Sequence, residues 1–287
     1  MPYLTLKDGV SLFYKDWGNY TGQPVFFSHG WPLNSDNLEL QMNFLADHGY
    51  RVIAHDRRGH GRSDQPWNGN DVDTWADDIS ELFKHLRLTG ATLVGHSTGG
   101  GDLTRFAAKS KAHSKPGSYG SKKASWVKKL VLISAITPLL LQADWNPSGV
   151  PLDALNQQRD RMLKDRSQFF YDVPEGPFFG FNRPNATVSK GLIQSFYNQG
   201  MQASFKSAFD TIASWETDFR PDLQSLDIPV LVIHGDEDQI VPFGVGNQTI
   251  NFLNNGRLKV YKGGPHALPN IEVNGINNDI LSFLKET

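Results

Sequence analysis

The sequence of 287 residues contains no cysteine at all. The chain can therefore form no disulfide, bind no metal through thiolates and use no thiol as a nucleophile. It also lacks an excess of charge of either sign, because 28 basic and 30 acidic residues give a formal net charge of −2. A protein with so little net charge has no strong field to attract nucleic acid or an anionic membrane.

Long hydrophobic runs are missing as well. No stretch approaches the ~20 apolar residues that are needed to span a bilayer. The first nine residues, MPYLTLKDG, have neither the basic region nor the apolar stretch of a signal peptide. We therefore expect a cytoplasmic protein that binds neither membranes nor nucleic acid.

Short apolar runs alternate with longer amphipathic stretches along most of the chain. The short runs predict strands over 4–6, 12–17, 24–28, 50–54, 91–94, 129–133, 229–233 and 258–261. Most of them are continuously apolar, as in parallel strands that are covered on both faces. Helical spacing predicts helices over 36–48, 74–86, 101–108 and 274–285. This alternation indicates an α/β fold with a mostly parallel eight-stranded sheet, helices on both faces and an antiparallel hairpin at the start.

Two intervals interrupt this alternation. Residues 137–227 contain many aromatics and amphipathic stretches but no core strand, and a structureless loop of that length is rare in a compact domain. We predict a small helical cap there, inserted into a core domain formed by residues 1–136 and 228–287. Residues 109–129 carry seven lysines and no acidic residue. They could form an anionic docking patch or a solvated loop, and we favour the loop.

The segment GHSTGGG at 95–101 is the strongest chemical signal. It matches the pattern G-x-S-x-G between a predicted strand and a predicted helix, which is the context of a nucleophile elbow. Small neighbours allow a serine to occupy such a strained turn, and the helix start favours developing negative charge. We predict that Ser97 is the nucleophile of a serine hydrolase with the α/β-hydrolase fold. The alternative is a glycine-rich turn with an idle serine.

A serine hydroxyl needs a neighbouring base, and in this fold the chain order is serine, acid, histidine. His266 follows the last predicted strand and is the predicted base. The segment HGDEDQIVP at 234–242 offers three carboxylates after the preceding strand. We favour Asp238 as the acid because it clears the strand end, whereas Asp236 is expected to cap backbone N–H groups of the turn.

An oxyanion hole needs two N–H donors, one after the nucleophile and one in the loop after an early strand. The predicted donors are the backbone N–H groups of Thr98 and Trp31, because Gly30 allows a close approach and Pro32 carries no N–H. We interpret His29 as a brace of this loop. The sequence contains no zinc-protease, P-loop or dinucleotide motif, so we expect neither a metal nor a cofactor.

Seven segments together resemble one bacterial group, the cofactor-free (non-haem) haloperoxidases or chloroperoxidases, with the related aryl esterases and γ-lactamases. These segments are SHGWP (28–32), AHDRRGHGRS (54–63), QPW (65–67), GND (69–71), GHSTGGG (95–101), ETDFRP (216–221) and HGDEDQIVP (234–242). The resemblance covers nearly the whole chain. It places the triad of the group on Ser97, Asp238 and His266, and its oxyanion donors on Trp31 and Thr98. Its pocket positions fall on Ile136, Leu140, Trp215, Ile240 and Phe243.

The resemblance implies a serine carboxylic-ester hydrolase that is also a perhydrolase without any cofactor. Hydrogen peroxide would replace water in attacking the acyl-enzyme, and the resulting peracid would oxidise halide in solution. The expected partners are a small ester or carboxylic acid plus hydrogen peroxide, and a homo-oligomer is one expected assembly. Thr98 departs from the group, because many relatives have methionine there. The alternatives are a lactamase or amidase with the same triad, and a non-catalytic ligand-binding protein of this fold.

Overall fold

A computed structural model describes residues 2–111 and 125–286. The strands within these ranges are β1 (Tyr3–Thr5), β2 (Ser11–Gly18), β3 (Pro24–Ser28), β4 (Arg51–His55), β5 (Ala91–His96), β6 (Val127–Ile133), β7 (Val230–Gly235) and β8 (Gly256–Tyr261). They form one sheet in the order β1-β2-β4-β3-β5-β6-β7-β8. The strand β2 pairs antiparallel with β1 and β4, and every other neighbouring pair is parallel. The predicted hairpin and mostly parallel eight-stranded sheet are confirmed.

Ten α-helices lie within the same described ranges. They are α1 (Glu39–Asp47), α2 (Val72–Leu86), α3 (Thr98–Ser110), α4 (Leu152–Glu175), α5 (Lys190–Gln202), α6 (Phe205–Ser214), α7 (Arg220–Ser225), α8 (Phe243–Thr249), α9 (Leu268–Ile271) and α10 (Val273–Lys285). Short 3-10 turns occur at Ser35–Leu38 and Ile250–Phe252. None of the helices in the described part of the chain combines the length and the hydropathy that crossing a membrane requires.

Alternate residues of the central strands face opposite helix layers. On β3, Phe26 packs in the apolar cluster that contains α2 and α3. Its neighbours Val25 and Phe27 pack in the second cluster, which contains α1 and α10. Because the period of a strand is two residues, both faces are apolar only if every position is apolar. The continuous apolar runs of the sequence therefore follow from a sheet that is covered on both sides.

Helix bounds differ from the prediction where the helix carries little apolar signal. The helix α3 begins at Thr98, three residues before the predicted start, because the glycines of the elbow show no periodicity although they are helical. The helices α8 and α9 span 7 and 4 residues and were not predicted. Elements of that length complete too few turns to show a helical repeat.

The interval between β6 and β7 contains α4, α5, α6 and α7. The backbone of α4 is interrupted at Asp165, whose φ of −160° and ψ of 91° are extended. The Asp165 carboxylate accepts the N–H of Gln168 at 2.9 Å and so caps the second half of the helix. These helices fall within the interval predicted as a cap, and the division into two domains stays a prediction. Residues 112–124, most of the predicted lysine-rich loop 109–129, lie outside the described residues.

Candidate active site

Ser97 lies in the sharp turn between β5 and α3. Its φ of +55° is in the left-handed region, which residues with a Cβ rarely adopt. A Cβ on Gly95 would lie 2.6 Å from the Cα of Gly100. A Cβ on Gly99 would lie 2.3 Å from the carbonyl oxygen of Ser28. The glycines are therefore required by the close approach of neighbouring backbone, which is the geometry that the G-x-S-x-G pattern predicts.

Two hydrogen bonds join Ser97 to Asp238 through His266. The Ser97 hydroxyl donates to His266 Nε2 at 3.0 Å, and His266 Nδ1 donates to Asp238 Oδ2 at 2.8 Å. An ionised carboxylate can only accept, so it fixes the proton on Nδ1 and leaves Nε2 as the acceptor. All three side chains are buried. Ser97 follows β5, Asp238 follows β7 and His266 follows β8. The structure thus brings the three predicted triad residues together at the carboxyl ends of parallel strands.

Both carboxylate oxygens of Asp238 are engaged. Oδ1 accepts the backbone N–H groups of Ile240 and Val241 at 2.8 and 2.9 Å. Oδ2 lies 3.4 Å from Nε2 of His234, which also donates to the carbonyl of Val241 at 2.9 Å. Burial by itself would raise the pKa of Asp238, but the imidazoles of His266 and His234 bring that pKa below its usual range. The acid therefore stays ionised at neutral pH.

Asp236, the alternative acid, has a different role. It is exposed, and its Oδ1 accepts the N–H of Gly263 at 2.6 Å. It thereby ties the turn after β7 to the turn after β8. Glu237, the third carboxylate of this segment, pairs with Arg183 at 2.7 Å. Within the described ranges, neither carboxylate makes a hydrogen bond to His266.

His96, next to the nucleophile, supports the loop that carries the base. Its Nε2 donates to the backbone carbonyl of His266 at 3.1 Å. Burial lowers the pKa of His96 to about 3, and the adjacent His266 contributes to that decrease. His96 is therefore neutral at neutral pH, and it holds the backbone of His266 without placing a second positive charge beside the base.

Of the predicted oxyanion donors, Thr98 directly follows Ser97 in the chain, and Trp31 lines the same cavity as Ser97. Thr98 is the first residue of α3, so its backbone N–H has no acceptor within the helix. Trp31 lies in the loop after β3, and in the described part of the chain no acceptor is within hydrogen-bond reach of its N–H. A Cβ on Gly30 would lie 3.0 Å from the Cβ of Ser97. The loop thus comes as close to the nucleophile as a glycine allows.

A buried ion pair holds this loop in place. Arg57 pairs with Asp102 of α3, and its guanidinium also donates to the carbonyl of His29 at 2.8 Å. The Ser28 hydroxyl donates to Asp102 at 3.1 Å. The ring of His29 accepts the backbone N–H of Arg57 at 2.9 Å, so His29 braces the loop as expected. Arg57 and Asp102 were not predicted, because contacts between distant parts of the chain leave no local pattern.

A cavity of about 360 Å³ opens above Ser97, and Trp31 and His266 share its wall. The rest of the wall is mostly apolar and aromatic, with an Arg161–Asp172 ion pair of 2.9 Å among the lining residues. The helix α4 contributes Ala154, Leu155, Gln158, Arg161, Phe169, Asp172 and Val173. In residues 2–111 and 125–286, no group of three or more His, Asp and Glu side chains is arranged to hold a metal ion.

Four of the five predicted pocket residues line this cavity, namely Ile136, Leu140, Trp215 and Ile240. Phe243 does not. It begins α8, and its ring lies 6.1 Å from the ring of His234, so it supports the turn after β7 instead. The lining residues that the sequence analysis missed belong mainly to α4. An amphipathic pattern predicts that a helix buries one face, but it gives no information on what that face covers.

Comparison with known proteins identifies the family. The family model for the alpha/beta hydrolase fold matches residues 23–269. The chain belongs to the α/β hydrolase family. It is 46% identical to the non-heme chloroperoxidase of Streptomyces lividans and 44% identical to the bifunctional esterase/perhydrolase of Acinetobacter calcoaceticus, each over 99% of this chain and 100% of the relative. The crystal structure of the bromoperoxidase from Bacillus anthracis has a TM-score of 0.86 and 35% identity over 96% of both chains.

Three sequence-based predictions are thereby confirmed. The fold is that of the α/β hydrolases, the chain is related to the non-haem haloperoxidase and esterase/perhydrolase group, and the protein is a hydrolase of that group. The relatives match 99% of this chain. The roles of individual residues and the class of substrate are inferred from the geometry and chemistry of the site.

Proposed function

We propose that the enzyme hydrolyses small or aromatic carboxylic esters through an acyl-enzyme on Ser97, and that hydrogen peroxide competes with water for this intermediate. The observation that carries the proposal is the continuous hydrogen-bond chain from Ser97 through His266 to Asp238 beneath an apolar cavity. Such a chain supplies an activated alcohol, and the cavity supplies a place for an acyl group.

In acylation, Ser97 Oγ attacks the ester carbonyl while its proton passes to His266 Nε2. Asp238 stabilises the imidazolium that forms and stays ionised itself. The carbonyl oxygen becomes an oxyanion, which accepts hydrogen bonds from the N–H groups of Trp31 and Thr98. The tetrahedral intermediate then collapses, His266 returns the proton to the leaving alkoxide, and the alcohol departs. The product of this half-reaction is an ester of Ser97.

In deacylation, the attacking molecule gives up its proton to His266 in the same way. Water releases a carboxylic acid, and hydrogen peroxide releases a peracid, with Ser97 regenerated in both cases. The peracid transfers one oxygen atom to a halide ion in solution, which yields hypohalite and the carboxylate. In this scheme, oxidation of halide takes place outside the site, and the protein itself undergoes no redox change.

Two findings support this scheme. The relatives named as a bifunctional esterase/perhydrolase and as non-heme chloroperoxidases share 44 to 46% of their residues with this chain. The cavity, at about 360 Å³, is within the range of small-molecule sites and has aromatic side chains such as Phe169 and Trp215 on its wall. These features favour short aliphatic and aromatic acyl groups. The predicted cytoplasmic location and homo-oligomer remain predictions.

The proposal is tested by two assays on the wild type and Ser97→Ala. One follows hydrolysis of p-nitrophenyl acetate, and the other follows bromination by hydrogen peroxide and bromide with and without acetate. We expect Ser97→Ala to lose both activities. Bromination by the wild type should require acetate, because acetic acid acylates Ser97 with loss of water, in the reverse of hydrolytic deacylation, and hydrogen peroxide then releases peracetic acid. Bromination that needs no carboxylic acid, or that survives in Ser97→Ala, would contradict the peracid route. A lactam included in the same panel tests the amidase alternative.

A further inference from the structure

The helix α6 and the residue that follows it, Trp215, together contact the side chains of both predicted oxyanion residues. The indole Nε1 of Trp31 donates to the carbonyl of Ala208, within α6, at 2.8 Å. Trp215 follows the last residue of α6, and its indole Nε1 donates to Thr98 Oγ1 at 3.0 Å. Trp31 and Thr98, which lie far apart in the sequence, are therefore each hydrogen-bonded to the same segment of the chain.

Both hydrogen bonds are shielded from water. Thr98 and Ala208 are fully buried, and Trp31 and Trp215 are each 8% exposed. A buried donor that loses its acceptor cannot be compensated by solvent, so such a bond costs more to break than an exposed one. We conclude that the two bonds restrict the positions of Trp31 and Thr98 rather than forming transiently.

The two indoles also pack against each other. Their ring centroids are 5.1 Å apart and the planes are nearly perpendicular, at 89°. Edge-to-face contacts of this kind are favourable beyond the apolar area that they bury. Trp31 further contacts Phe169 and Phe170 of α4, while Trp215 lines the cavity. The indole pair therefore connects the wall of the acyl pocket to the residues next to the nucleophile.

We propose that Trp215 is a positioning residue for the oxyanion hole. Through the hydroxyl of Thr98 and its packing on Trp31, it fixes the spacing between the two backbone N–H groups. The inference rests on the proposed function, because it assigns a task within the same site. Thr98 is suited to this role, since its hydroxyl accepts a hydrogen bond that the isosteric valine could not accept.

The proposal has a kinetic signature. The oxyanion forms only as the carbonyl becomes tetrahedral, so a displaced N–H weakens the transition state and leaves ground-state binding unchanged. The loss should therefore appear in kcat, with KM unaltered. A purely structural role of Trp215 would instead lower the stability of the protein, or would raise KM for bulky acyl groups.

The experiment compares Thr98→Val, Trp215→Phe and the double variant with p-nitrophenyl acetate as substrate. Thr98→Ser keeps the acceptor hydroxyl and serves as the rescue variant. Thr92→Val is the matched control, because Thr92 is also fully buried and its hydroxyl also accepts a side-chain N–H, from Gln23 at 3.5 Å. It lies at the start of β5, at the opposite end of that strand from Ser97.

We expect Thr98→Val and Trp215→Phe each to lower kcat by about 10-fold with KM unchanged, which is less than the loss of a whole oxyanion donor. The double variant should show about the same loss in kcat as each single variant, because the two single substitutions remove the same hydrogen bond. Affinity for a trifluoromethyl ketone, which mimics the tetrahedral state, should fall in parallel with kcat. Thr98→Ser should retain a higher kcat than Thr98→Val, and Thr92→Val should behave like the wild type.

Several results would overturn the inference. One is a folded Thr98→Val variant whose kcat equals that of the wild type. Another is a Thr98→Ser variant whose kcat is as low as that of Thr98→Val. A third is a double variant whose loss in kcat is the product of the two single losses. If Thr98→Val does not fold by circular dichroism, Trp215→Phe decides the question alone. Labelling of wild-type Ser97 by a fluorophosphonate separates the two proposals. Without labelling both fail, whereas labelling together with unaffected variants rejects the positioning role of Trp215 alone.

Discussion

The edge of the sheet and the helices α4–α7 build the site in different ways. At the sheet edge, functional groups are fixed by backbone geometry and buried polar bonds, as in the elbow at Ser97 and the fully engaged carboxylate of Asp238. The helices α4–α7 contribute apolar walls, and the Arg161–Asp172 pair beside them is 47% and 42% exposed. Exposed pairs of this kind contribute about 0–1 kcal/mol. The chemistry is therefore fixed by the sheet edge, and the helices shape the space for the substrate.

This contrast predicts that substitutions at the sheet edge abolish turnover, while substitutions in α4–α7 change which acyl group is accepted. The contact of α6 and Trp215 with Trp31 and Thr98 is the proposed exception, because there the helical part of the chain reaches the catalytic groups.

The largest effect is expected for Asp238→Asn. An amide cannot keep the proton on His266 Nδ1 in the required tautomer, so kcat should fall by about 10⁴-fold. Asp236→Asn, which replaces a carboxylate only two residues away, should change kcat little because Asp236 bonds to Gly263. Steady-state hydrolysis of p-nitrophenyl acetate measures both variants. The opposite ranking would show that the acid has been misassigned.

The next largest effect is expected for Gly99→Ala. A Cβ at this position would lie 2.3 Å from the backbone oxygen of Ser28, so the elbow must shift. We expect a loss of about 100-fold in kcat/KM, and overpacking should reduce the free energy of unfolding by about 1–3 kcal/mol. Gly191→Ala in α5 is the matched control, because the nearest atom to its Cβ would be Ser189 Oγ at 3.9 Å. Equal effects at the two glycines would refute the contrast between the regions.

A smaller effect on turnover is expected for Leu155→Ala in α4. Leu155 is buried and lines the cavity, so its truncation enlarges the acyl pocket. The kcat for the acetyl ester should stay within about threefold, the preference should shift towards longer acyl chains, and the free energy of unfolding should fall by about 2–5 kcal/mol. A series of p-nitrophenyl esters and a urea titration test this. An unchanged chain-length profile would exclude Leu155 from the acyl pocket.

The smallest predicted effect is on the pH dependence of the free energy of unfolding. Histidines can contribute to it only outside the helices α4–α7, because no histidine occurs in 137–227. Burial lowers the pKa of His60 to about 3. Between pH 6.5 and about 3 the unfolded chain binds a proton at His60 that the folded chain does not, so stability falls as the pH falls. His60→Gln should reduce this slope by about 1.4 kcal/mol per pH unit.

Urea unfolding at a series of pH values measures the slope. The control is His48→Gln, which replaces an exposed histidine instead of a buried one. Identical slopes for His60→Gln and the wild type would contradict the assignment of His60 as a neutral buried group.

Much of the site could be predicted from the sequence because its parts occupy fixed places in the fold. A local glycine pattern predicts Ser97 as the nucleophile. Asp238 and His266 follow predicted strands whose carboxyl ends meet at one edge of the sheet. Arg57–Asp102 and Trp215–Thr98 could not be predicted, since they join distant residues through side-chain geometry. The same limit explains why α4 was missed as the main wall of the cavity.

The central claim is that one acyl-enzyme on Ser97 serves both water and peroxide. Rapid acid quenching of the enzyme with p-nitrophenyl acetate, followed by mass spectrometry of its peptides, tests this directly. We predict an acetyl group on the peptide that contains Ser97, with a lifetime that shortens as hydrogen peroxide is added. Acetyl found on another residue, or a lifetime at Ser97 that does not respond to peroxide, would contradict the account.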